Sequence, residues 1–185
     1  MHHPFMANVA AELAKRRIAT LRYQFPYMER GSKRPDPPAR CHATVRAAVA
    51  EAARLAPGVP LFAGGKSFGG RMTSQAQALE PLSVRGLVFF GFPLHAAGKP
   101  SDERAKHLHD VRIPMLFLQG TRDDLADLTL MRPLVARLGP LATLKELEDA
   151  DHSFHVRASS GRTDAQVLSE MLDETARWML SAASS

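Results

Sequence analysis

A chain of 185 residues with 45% apolar side chains is long enough to bury one core, and a single domain over residues 1–185 is expected. The net charge of +5 is concentrated at the front, with nine Lys/Arg against three Asp/Glu in residues 1–50 and fifteen against sixteen thereafter. No basic run alternates with aromatics as it does in single-strand binders, so the front reads as a solvated face and nucleic acid, through Arg30, Lys33, Arg34 and Arg40, is not an expected partner.

No apolar run approaches the ~20 residues that cross a bilayer, and MHHPFMANVAAEL lacks the pattern of a secretory signal. Lone Cys41 excludes an internal disulfide, and its polar surroundings speak against a nucleophile. The expected setting is cytoplasmic, with no membrane contact.

Pro4 to Lys15 reads as a helix, because Phe5, Met6, Val9, Ala10 and Leu13 recur at spacings of three and four. Ile18–Phe25 alternates and reads as a strand. Pro26–Arg40, with four prolines and many charges, reads as a long loop. Thr44–Leu55 is an Ala-rich helix closed by Pro57-Gly58. Val59–Gly64, Arg85–Phe92 and Ile113–Gln119 are apolar strand segments, and Ala142–Leu147 is a shorter amphipathic one near an edge. Gly69–Leu79, Leu130–Leu138 and Thr163–Leu180 complete the helices. Alternating strands and helices predict an α/β fold, a three-layer αβα sandwich around a mainly parallel sheet. Reactive groups then belong at the carboxyl ends of the strands.

Three strand ends carry distinctive residues. Gly65-Lys66-Ser67-Phe68-Gly69 fits the G-x-S-x-G nucleophile elbow, in which a serine sits on a strained strand-to-helix turn. Side chains two residues either side of Ser67 would collide with strand or helix, so Gly65 and Gly69 are expected to relieve that crowding, and Gly70 to allow close helix packing. A phosphate-binding loop ending in Gly65-Lys66-Ser67 would need glycine at position 60, where Pro60 stands and removes an N–H donor. Asp123 follows the third strand segment, and His152 lies on the loop after the fourth. The order Ser67, Asp123, His152 is nucleophile, acid and base. Neutral His152 would take the Ser67 proton, Asp123 would hold the other ring nitrogen, and the N–H of Phe68 would serve as an oxyanion donor.

With these residues in view the chain resembles the small, lidless alpha/beta hydrolases close to dienelactone hydrolase. The resembling segments are HPFM at 3–6, FPYMERGSKRPDPP at 25–38, GGKSFGGRM at 64–72, GFPLH at 91–95, GTRD at 120–123 and ADHSF at 150–154. The resemblance implies the same triad and selects Asp123 over Asp124 and Asp127. It places Lys66 and Arg71 in the elbow signature, where ion pairing near the site is expected. It also implies a strand and a glycine-rich loop ahead of HPFM, where this chain has Met1-His2-His3. The expectation is therefore a sheet lacking its N-terminal strands, with either unpaired edges or Ile18–Phe25 closed up against the elbow strand, and a second oxyanion N–H outside residues 1–185.

The expected function is a serine hydrolase of small esters working through an acyl-enzyme. The segment between Phe92 and Ile113 is too short for a lid domain. No cofactor or metal enters this reading, the partner is a small-molecule ester, and an oligomer is left open. The alternative is a catalytically silent scaffold or regulatory subunit on the same fold.

Overall fold

The computed structural model describes residues 4–183; Met1-His2-His3 lie outside them. The sheet has four strands, β1 (Phe62–Lys66), β2 (Gly86–Phe90), β3 (Met115–Gly120) and β4 (Ala142–Leu147), all parallel and in the spatial order of the chain. The helices are α1 (Pro4–Lys15), α2 (Pro26–Glu29), α3 (Pro38–Leu55), α4 (Phe68–Leu79), α5 (Leu128–Leu138) and α6 (Asp164–Ala183). A short 3-10 helix, Glu103–Asp110, fills the crossover from β2 to β3.

The three layers follow from strand alternation. Successive side chains point to opposite faces, so β2 and β3 each feed two cores. Val88, Phe90, Leu116 and Leu118 pack with Val9 and Leu13 of α1 and Val167, Met171 and Leu172 of α6. Leu87, Phe89, Met115 and Phe117 pack on the other face with Leu108, Met131 and Leu134. β2 and β3 are buried along their whole length, which is why they read as unbroken apolar runs. Phe117 is fully buried, with ring centroids 4.8 Å from Phe89 and 5.8 Å from Phe92. Phe117→Ala is therefore expected to cost about 3–5 kcal/mol, read as a lowered urea midpoint.

The front of the chain departs from the sequence reading. Ile18–Phe25 forms no strand. Three of its apolar side chains are held elsewhere, Ile18 against the α1/α6 layer and Tyr23 and Phe25 in a third cluster with Cys41 and Val45 of α3 and Met72 of α4, while Leu21 is exposed. Alternation supplies side-chain spacing, but a strand also needs a neighbouring backbone to complete its ladder. Here the sheet ends at β1, and the segment has not closed up against it.

The proline-rich loop also contains more structure than composition suggests. Pro26 and Pro38 each open a helix, where a fixed φ is an asset and the missing N–H is no loss, so α3 starts six residues before Thr44. Between the two helices Asp36, its side chain 3% exposed, accepts from the Tyr27 N–H at 2.7 Å and pairs with Arg30 at 2.6 Å and Arg40 at 3.5 Å. Two of the front's cations are thereby spent on the fold. Cys41 is fully buried in α3, and burial pushes its thiol up, away from the thiolate a nucleophile needs. No helix among the described residues is long and apolar enough to cross a membrane.

Candidate active site

Ser67 stands between β1 and the first turn of α4, with φ 50° and ψ −117°. A non-glycine residue in this region is strained, and its N–H is fixed by a 3.1 Å bond to the Phe90 carbonyl on β2. The turn closes because the backbone approaches where side chains are missing. A Cβ at Gly64 would lie 1.9 Å from the Val88 carbonyl oxygen, one at Gly65 3.2 Å from the Gly70 nitrogen, and one at Gly70 2.8 Å from the Gly65 carbonyl oxygen. Gly69 differs from expectation: a Cβ there meets nothing within 4 Å. The crowding falls on Gly64, Gly65 and Gly70.

The three separated residues meet above the carboxyl edge of the sheet. Ser67 Oγ lies 2.8 Å from His152 Nε2, and His152 Nδ1 lies 2.7 Å from Asp123 Oδ2. A carboxylate only accepts, so Nδ1 carries the ring proton and donates to Asp123, leaving Nε2 as the acceptor for the Ser67 hydroxyl. Asp123 is buried and well held: Oδ1 accepts from the Leu125 N–H at 2.8 Å, and Oδ2 accepts a second bond from the Gln119 amide. The Gln119 carbonyl in turn accepts from the Phe92 N–H at 3.0 Å.

The other carboxylates take different places. Asp127 caps α5 by accepting from the Thr129 N–H at 2.8 Å and its hydroxyl at 2.7 Å, and Asp124 is exposed. The N–H of Phe68 belongs to the first turn of α4, whose leading donors have no intrahelical partner and point toward the Ser67 side of the helix.

The loop carrying His152 is an irregular one, with Asp149 at φ 60° and Phe154 at φ 63°. It is tied to the end of β3 at several points. The Arg122 N–H donates to the Ala150 carbonyl at 2.9 Å, the Asp149 N–H to Thr121 Oγ1 at 2.9 Å, and Arg122 also reaches the Asp149 carbonyl at 3.2 Å. Asp151 Oδ1 accepts from the N–H groups of Ser153 and His155, closing the tip around His152. Gly120 lets the loop settle: a Cβ there would lie 2.3 Å from the Ala150 carbonyl oxygen.

Several contributors were not singled out from sequence. Gln119 carried a signal, an amide ending an otherwise apolar strand. Gly91 takes φ 68°, a conformation that side chains rarely adopt, and a Cβ there would come within 2.9 Å of Lys66 Nζ. Lys66 and Arg71 do not form the expected ion pairs among the described residues. Lys66 Nζ donates to the His152 backbone carbonyl, and Arg71 lies over the Phe68 ring at 5.7 Å with its Nε buried and unbonded.

A second serine–histidine contact, Ser74 Oγ to His107 Nε2 at 2.8 Å, has a different character. Ser74 is buried within α4 and gives its one proton to the Arg71 carbonyl at 2.9 Å, so His107 must donate to it rather than act as a base. Burial, helped by Arg71, pushes His107 down to about 4. Among the described residues no group of His, Cys, Asp and Glu could hold a metal ion.

A parallel sheet between two helical layers, with a strained serine after one strand and a histidine after the last, defines the class of α/β hydrolases. The chain belongs to it: the profile of the alpha/beta hydrolase domain family matches residues 1–180. The fold is similar to that of XC6422 from Xanthomonas campestris, described as an a/b serine hydrolase without lid, at 23% identity and a TM-score of 0.72 over 96% of this chain and 75% of that one. It is similar also to an alpha-beta serine hydrolase homologue from Coxiella burnetii, at 18% identity and a TM-score of 0.69 over 93% and 80% of the two chains. Est1E from Butyrivibrio proteoclasticus aligns at 13% identity and a TM-score of 0.70 over 100% and 84%.

Proposed function

We propose that this chain is a serine hydrolase of small esters, with Ser67 as nucleophile, His152 as general base and then acid, Asp123 as the group that orients and charges the imidazole, and the Phe68 N–H as an oxyanion donor. The observation that carries this reading is the continuous hydrogen-bond chain from Asp123 through His152 to Ser67, at 2.7 and 2.8 Å.

In the acylation step Ser67 Oγ attacks the ester carbonyl while its proton passes to His152 Nε2. The carbonyl oxygen gains the negative charge, facing the Phe68 N–H and the positive end of α4. The imidazolium, stabilised by Asp123, then protonates the departing alkoxide. Water repeats the sequence on the acyl-enzyme and frees the acid. Only the short Glu103–Asp110 helix and its flanking turns stand in the β2–β3 crossover, so the site favours small substrates over ones that need a lid.

Hydrolysis of p-nitrophenyl acetate and butyrate by wild type and Ser67→Ala tests the nucleophile; equal rates would sink it. Fluorophosphonate labelling separates the reading from a silent scaffold on the same fold. Stoichiometric labelling of wild type that vanishes in Ser67→Ala supports a working site, and an unlabelled wild type supports the scaffold.

A further inference from the structure

Lys66, the residue before the nucleophile, occupies an unusual place. Its strand is the sheet edge, yet the side chain is partly buried and turned onto the His152 loop. Nζ donates to the backbone carbonyl of His152. It lies 4.9 Å from the ring centre of Phe154, on the same loop, and 5.8 Å from that of Phe5 on α1. Those two rings stack at 5.5 Å and form a wall beside the cation. Gly91 leaves space beside the ammonium, since a Cβ there would come within 2.9 Å of Nζ. No carboxylate bonds to this ammonium among the described residues; its hydrogen bond is spent on the residue that holds the catalytic base.

We infer that Lys66 is a positioning residue: its ammonium is the strut that fixes the His152 loop against the elbow, and loss of its charge slackens the Ser67–His152 contact. The inference rests on the proposed role of His152. The turn after β3 already holds the start of the loop at Asp149 and Ala150, and Asp164 of α6 holds its far end at His155 and Val156. Lys66 is the tie that reaches the loop's tip from the nucleophile's own strand, so the base and the nucleophile share one mount. A cation suits this better than a neutral donor, because it makes a charge-assisted bond to the carbonyl and is attracted to the faces of both rings at once.

The arrangement carries a pH signature. Burial pushes Lys66 down to about 8, against the opposing pull of the Asp123 and Asp151 carboxylates. The charged and titratable groups facing it are those two carboxylates and the His152 imidazole; from the turn after β2 and from α1 it meets Gly91 and Phe5, neither of which titrates. The strut is in place below pH 8 and weakens as pH rises through that value. Hydrolysis by this site is therefore expected to lose rate on an alkaline limb near pH 8.

Three proteins decide the matter: wild type, Lys66→Met, which keeps the length and removes the charge, and Lys66→Arg, which cannot be neutralised in this range. A displacement of the base of about 1 Å costs about 10²-fold, so Lys66→Met is expected to lower kcat/KM for p-nitrophenyl butyrate by about 10- to 100-fold, chiefly in kcat. Lys66→Arg should recover most of that loss and show no limb near pH 8. A purely space-filling lysine would leave the pH profile unmoved in both variants.

A readout independent of hydrolysis keeps this inference separate from the proposed function. The backbone amide resonances of residues 149–155 are followed by NMR from pH 6.5 to 9.5. In wild type they should shift together with a midpoint near 8, and in Lys66→Met and Lys66→Arg that midpoint should be absent. Wild-type loop signals that do not titrate near 8, or a folded Lys66→Met with unchanged loop signals, would overturn the strut whether or not the protein hydrolyses esters. A titrating loop in a protein whose Ser67 resists fluorophosphonate would uphold the strut and overturn only the proposed catalysis.

Discussion

Asp123→Asn is expected to lower kcat/KM for a short-chain ester by about 10³- to 10⁴-fold while leaving the fold intact. The reason is the number of donors already aimed at this carboxylate. Oδ2 accepts from both His152 Nδ1 and the Gln119 amide, and Oδ1 accepts from the Leu125 N–H. Whichever way an asparagine amide turns, its NH2 meets a donor. Toward Leu125 it sets two N–H groups against each other. Toward Gln119 and His152 it opposes the Gln119 amide and, to be accepted by His152 Nδ1, drives the imidazole into the tautomer that cannot take the Ser67 proton. In either orientation the negative charge that stabilises the imidazolium is gone. Paired measurements of kcat/KM and of the urea midpoint check this, and a variant within tenfold of wild type would remove Asp123 from its assigned role.

Gly120→Ala should damage both stability and activity through a single methyl group. The added carbon would stand 2.3 Å from the Ala150 carbonyl oxygen and 2.8 Å from that of Asp151. Both are backbone atoms, so the loop itself must move. Overpacking of this kind costs about 1–3 kcal/mol. The larger effect falls on catalysis, because the same loop carries His152 and a misplacement of about 1 Å costs about 10²-fold. Activity should therefore fall much further than the urea midpoint implies. The contrast with Gly69→Ala, which meets open space, makes the test specific: that variant should keep its stability and its elbow geometry.

Much of this protein was legible in the chain because the signals are local. β2 and β3 are buried on both faces, so their sequences are unbroken apolar runs, and Ala142–Leu147 reads as an edge strand because it is one. The elbow was readable because a strained serine flanked by close backbone approaches demands glycines within a few residues of it. The helices come within a few residues of their true ends except in the proline-rich segment, which reads as loop although Pro26 opens α2 and Pro38 opens α3.

Tertiary structure decided what depends on partners distant in sequence. Alternation made Ile18–Phe25 look like a strand, but a ladder needs a second backbone, and the side chains went instead to α1, α3 and α4. Three aspartates within five residues offered the same chemistry, and only the meeting of β3's end with the last loop put Asp123 at His152 and left Asp127 to cap α5. A lysine beside Ser67 gives no sequence clue that it lies against Phe5 and Phe154 and is bonded to His152, residues 61 positions before and up to 88 after it. Composition and periodicity determined the layers and the elbow; burial and the long-range meeting of four strand ends decided which polar groups the site holds.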